Sequence, residues 1–176
     1  MAEKNSKMIT AVFRDRYNAI DAFDWLRAQG YTQDQISVLM SDTTRKSYAE
    51  DAKEGKIERG SKMAEGAATG GAIGTAIGAG LAALAAIGTS LVLPGLGLVI
   101  AGPLAAAFAG GGAGAVAGGL IGGLVGYGIP ESNAKAYEEA LRDGGVAIGV
   151  SPRNSNDSSK IETKFEELHG ENIITA

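Results

Sequence analysis

Apolar and polar positions divide this chain into two kinds of segment. Near the N-terminus, short β-rich runs alternate with a helical stripe. Met8 to Phe13 (M-I-T-A-V-F) is apolar and β-branched enough to predict a strand. From Arg16 to Gln29, Ala19, Ile20, Ala22, Phe23 and Leu26 recur at helical spacing, and Gly30 follows as the C′ residue. Ile36 to Met40 (I-S-V-L-M) predicts a second strand and completes a βαβ unit. The rhythm returns near the C-terminus. Pro130 and Ser132/Asn133 open a helix through Leu141 and Arg142, which Gly144-Gly145 stops. Val146 to Val150 reads as a strand, and Lys160 to Leu168 as a helix with Ile161, Phe165 and Leu168 on one face. Gly170 ends that helix, and Ile173-Ile174 is a last short strand. With residues 43–145 set aside, the order is βαβ then βαβ. This predicts an α+β fold: a split ferredoxin-like domain of residues 1–42 and 129–176, with four antiparallel strands and two helices on one face.

The other kind of segment is uncharged. No Asp, Glu, Lys or Arg occurs between Glu65 and Glu131, and glycine recurs there at every fourth position in two registers. Gly66, Gly70, Gly74 and Gly78 form the first; Gly110, Gly114, Gly118, Gly122 and Gly126 form the second. Residues four apart lie nearly above one another on a helix, so each register predicts a ridge without side chains. Two such ridges can bring helix backbones unusually close, as small-xxx-small pairs do. The expectation is an inserted glycine-zipper helical hairpin over residues 63–128. Its helices run from about Met63 to Leu93 and from Pro103 to Tyr127, and Pro94, Gly95, Gly97, Gly102 and Pro103 form its turn. Residues 43–62 are highly charged with alternating sign and read as a solvated helix or linker.

Each hairpin helix is long enough to cross a hydrocarbon layer of about 30 Å. In an exposed soluble helix each glycine would cost about 1 kcal/mol relative to alanine, so the helices need close packing or lipid. Ile73, Ile77, Leu81 and Leu84, and Leu120, Ile121, Leu124 and Val125, make the opposite faces apolar too. A helix apolar all round is buried in protein or in lipid. The expected partners are therefore further copies of the chain and a lipid bilayer. Both flanks would lie on the cytoplasmic side of the inner membrane, with a soluble cytoplasmic assembly (ring, shell or filament) as the alternative. The apolar tip from Leu93 to Gly102 favours a hairpin held within membrane or oligomer over one emerging into water.

Composition narrows the chemistry. The net charge is −4, with no cluster of unopposed basic residues, which argues against nucleic acid. There is no cysteine, which removes disulfides, thiol catalysis and thiolate metal sites. The start, Met1-Ala2-Glu3-Lys4-Asn5, carries no apolar stretch before the first strand, so no cleavable signal peptide is expected. Gly78-Ala79-Gly80 and Gly95-Leu96-Gly97 resemble fragments of phosphate loops but lack a preceding strand and a Gly-Lys-Ser/Thr. His169, the only histidine, stands at a helix end, where capping is the expected role. Glu138/Glu139 and Glu166/Glu167 are sequence neighbours that diverge on a helix, so no metal site is predicted. A pore lined by Thr69, Thr75, Thr89 and Ser90 would lack a selectivity ring. Trp25 reads as a packing residue or a partner surface. No catalytic residue and no cofactor is expected.

Three stretches resemble a bacterial general-stress family, the heat-induced YflT-like domain with a glycine-zipper insert. They are A-I-D-A-F-D-W-L-R-A-Q-G-Y with I-S-V-L-M (Ala19 to Met40), P-G-L-G with A-G-P-L in the insert, and G-Y-G-I-P-E leading to A-Y-E-E-A-L-R-D-G-G-V-A-I-G-V (Gly126 to Val150). The resemblance implies a stress-induced protein without enzymatic activity. The function expected is self-association through the hairpin, in or on the membrane. A ligand-sensing module that uses an open sheet face is a further alternative, its small-molecule ligand unknown.

Overall fold

A computed structural model of the protein describes residues 7–53, 91–93, 97–110 and 113–176. The chain is mixed α and β. Strand β1 (Ile9–Phe13) leads into helix α1 (Arg16–Ala28), and a 3-10 turn precedes β2 (Ile36–Ser41). Helix α2 (Asp42–Lys53) follows directly, started by the Ser41 hydroxyl, which accepts from the Thr44 N–H at 3.0 Å. After the described residues resume come β3 (Leu91–Leu93), β4 (Leu98–Ala101), α3 (Pro103–Gly110) and α4 (Ala113–Gly126). The chain ends with α5 (Glu131–Arg142), β5 (Val146–Val150), α6 (Ser155–Glu167) and β6 (Glu171–Thr175).

The strands form one six-stranded sheet in the order β3-β4-β2-β5-β1-β6, every neighbouring pair antiparallel. Register is simple in the middle: Ile9 faces Val150 and Phe13 faces Val146, while Ile36 also faces Val150 across β5. Strand side chains alternate faces, and here both faces are covered, which is why the strands read as continuous apolar runs. Ile9, Ala11, Phe13, Val146, Ile148 and Val150 point to one side, into a core with Ala19, Phe23 and Leu26 of α1 and Ile161 and Phe165 of α6. Met8, Val12, Leu39, Ile100 and Ala147 point to the other, under Leu104 and Phe108 of α3, Leu120 and Leu124 of α4, and Tyr137 and Leu141 of α5. The result is a helix–sheet–helix sandwich.

Several expectations change. The stretch around 91–101 is a β-hairpin, not a helix end and an apolar tip: Leu91, Val92 and Leu93 pair with Ile100, Val99 and Leu98. Two short apolar, β-branched runs on either side of the P-G-L-G sequence carry that signal, and the available edge of β2 draws them into the sheet. Pro103 to Tyr127 is not one helix. It is divided into α3 and α4, and Gly119 breaks α4 with φ 59° and ψ −146°. Among the described residues no helix is long and apolar enough to cross a membrane. The charged stretch after residue 42 is helical to Lys53 and not wholly solvated. Tyr48 is buried in the first core, with the Arg16 guanidinium 4.2 Å above its ring and paired to Asp51. Helix α6 begins earlier than Lys160 because the Asn154 side chain accepts from the Asp157 N–H at 2.9 Å.

Candidate functional site

Within the uncharged segment the chain leaves the sheet at Gly102. Its φ is +78°, and a Cβ there would overlap the Ile36 carbonyl oxygen and lie 2.9 Å from the Ser37 Cα. Only glycine lets the chain leave β4 so close to β2. Pro103 then opens α3, and the Ser37 hydroxyl on the neighbouring strand accepts from the Leu104 N–H at 3.1 Å, supplying a cap from outside the helix. Gly97, with φ +61°, sits in the β3–β4 turn, where its carbonyl accepts from the Asp42 N–H at 2.7 Å.

The second glycine register is placed unevenly. Cβ atoms built at Gly110, Gly118 and Gly126 would meet nothing within 4 Å among the described residues, and Val125, next to Gly126 in sequence, is 44% exposed. Gly122 is half-buried within α4, as is Ile121, and Gly114 lies in its first turn. Because Gly119 leaves the helical region, Gly118 and Gly126 stand on different segments of α4 rather than on one straight ridge. The close helix approach falls one residue outside the register. A Cβ at Gly123 would overlap the Phe108 ring, its Cδ1 lying only 2.7 Å away, so α3 packs on α4 through an aromatic ring seated on a glycine. Gly66, Gly70, Gly74, Gly78, Pro94 and Gly95 lie outside the described residues.

The sheet face opposite α1 and α6 is covered by α3, α4 and α5, so it offers no open platform for a ligand. A polar chain fastens this layer. The buried Tyr137 hydroxyl donates to the Asn172 carbonyl at 2.7 Å, and its single proton being used there, the Thr10 hydroxyl donates to it at 2.9 Å. Burial pushes the Tyr137 phenol far above its ordinary range.

Two aspartates of α1 pass unnoticed in the sequence, although A-I-D-A-F-D-W-L sets both within an apolar stripe. Asp21 and Asp24 are 5% and 2% exposed. Neither Asp24 carboxylate oxygen has a hydrogen-bond partner among the described residues. Burial, and then the negative charge of Asp21, raise the Asp24 carboxyl to about 8 against the opposing pull of Arg27. Asp24 is therefore mostly protonated at neutral pH. Among the described residues no three His, Cys, Asp or Glu groups are arranged to hold a metal ion.

His169 sits one residue beyond the Leu168 cap of α6, with φ +55°. Its N–H donates to Glu166 O at 2.9 Å, and the Gly170 N–H donates to Phe165 O at 2.7 Å. This is a Schellman closure with histidine in the place where Gly30 and Gly144 stand after α1 and α5. Trp25 is half-buried against the first core and faces α6. No protein-family model, curated protein or solved structure matches the chain.

Proposed function

We propose that this is a non-enzymatic, self-associating protein of the bacterial general-stress kind, which assembles through its glycine-rich segment in or on the cytoplasmic membrane. One observation carries the reading. Gly110, Gly118 and Gly126 have no neighbour within 4 Å of a Cβ among the described residues, and Val125 is exposed, in a stretch without a single charge. An uncharged surface with no side chains in the way suits close helix contact with another copy or with acyl chains. The strand order β2-β5-β1-β6, with α1 and α6 on one face, supports a split ferredoxin-like unit as the base of the segment. The stretch from Gly126 to Val150 that resembles the stress family supplies core positions here, Ile129, Ala134, Tyr137, Ala140 and Leu141 among them. It bears on architecture more than on chemistry.

A soluble assembly is the second reading. It is favoured by the way α3 and α4 already bury Leu104, Phe108, Leu120 and Leu124 on the sheet. Fractionation of expressing cells with an alkaline carbonate wash, followed by sizing of the soluble material, separates the two. Retention in washed membranes supports insertion, and a uniform large soluble particle supports the scaffold. A soluble monomer contradicts both. A Cβ at Gly118 meets nothing within 4 Å among the described residues, so Gly118→Leu should leave the fold intact while abolishing assembly. An unchanged oligomer in that variant would overturn the glycine-surface reading.

A further inference from the structure

Across the sheet from α4, the outer surfaces of α1 and α6 line an open groove of about 360 Å³, to which α1 contributes Trp25. Its far wall is one face of α6: Ser159, Lys160, Thr163, Lys164 and Glu167. The Lys164 ammonium is held by the Glu167 carboxylate at 2.9 Å. The Ser159 hydroxyl donates to the Ser155 carbonyl at 3.4 Å, and the remaining polar groups are unused among the described residues. Lys160 has no ion pair, and neither the Thr163 hydroxyl nor the Trp25 indole N–H has a partner among the described residues. Among the described residues the cations that stack on rings are Arg16 over Tyr48 at 4.2 Å and Arg153 over Tyr31 at 4.1 Å, and neither groove lysine lies over Trp25.

We propose that this groove binds a flat aromatic monoanion, its ring against Trp25 and its charge at Lys160. Two ammonium groups against one carboxylate leave the lining with a single net positive charge, which matches a monoanion. An exposed ammonium contact alone is weak. Stacking on indole, with an acceptor for its N–H, adds the selectivity for an aromatic partner. The volume lies at the lower end of small-ligand sites. The site is on the opposite layer from the glycine surface, so it stands or falls independently of the assembly reading.

Trp25 is the only tryptophan, so one indole N–H resonance reports the site in the full-length protein. Titration with 2-naphthoate should shift that resonance saturably. Neutral 2-naphthamide and acetate, each lacking one half of the recognition, should bind more weakly. Lys160→Ala should weaken naphthoate about fivefold, the loss expected of an exposed charged contact. Glu167→Gln, which releases Lys164, should tighten it. No saturable shift at millimolar naphthoate, equal binding of naphthamide, or indifference to both substitutions would overturn the proposal.

Discussion

Replacing Asp24 by Asn tests how this fold tolerates a buried carboxyl. The folded carboxyl titrates at about 8, against 3.8 for the unperturbed group. Between those values the folded state holds a proton that the unfolded chain has released. The contribution of Asp24 to stability is therefore greatest below about pH 4 and falls as pH rises toward 8, at about 1.4 kcal/mol per unit. Over the whole interval the loss approaches about 6 kcal/mol, with about 3 kcal/mol as the lower expectation if α1 relaxes to admit water. Either figure is a large part of an ordinary domain's stability. Asn is nearly isosteric with the protonated acid and cannot ionise. Wild type and Asp24→Asn should thus match near pH 4 and diverge as pH rises, the variant becoming the more stable until the gap levels off above pH 8. Denaturant midpoints measured for both proteins from pH 4.5 to 9 give the gap directly. Carboxylates away from α1 cancel in the difference, including Asp42 and Glu131, which lysine and arginine neighbours hold below the usual range, whereas Asp21, whose charge acts on Asp24, stays part of what the gap reports. A gap constant to within about 1 kcal/mol would refute the argument, because it would mean that Asp24 is hydrated in the folded protein.

Further substitutions separate glycines that look alike in the sequence. Gly102→Ala combines a positive φ with overlap on the Ile36 backbone, so it should cost about 3 kcal/mol or more, read as a lowered Tm. Gly123→Ala drives a methyl group into the buried Phe108 ring and should cost about 1–3 kcal/mol, which Phe108→Leu should partly rescue in a double-mutant cycle. His169→Gly should raise stability by about 1 kcal/mol, measured by chemical denaturation, because it removes a side chain from left-handed backbone. A loss in that variant would show that the imidazole matters more than the strain.

By itself the sequence determined the local elements whose signals are short-range. The apolar run Val146 to Val150, the helical stripe from Ala19 to Leu26 and the closures at Gly30 and Gly144 all stand where pattern and turn chemistry place them. The α+β class follows from them. Tertiary structure decided the rest, because burial and edge pairing are not local properties. L-V-L and L-V-I-A are apolar enough for helix or strand, and the free edge of β2 makes them strands. Glycine at every fourth position specifies only that a surface is small. Whether a glycine there faces a ring, as Gly123 beside the register does, or no described neighbour, as at Gly118, depends on where Phe108 of another helix arrives. Asp24 reads as one more polar residue of an amphipathic helix, and only its enclosure turns it into a proton-holding group. The groove at Trp25 exists because α1 and α6, more than a hundred residues apart in sequence, lie side by side on one face of the sheet.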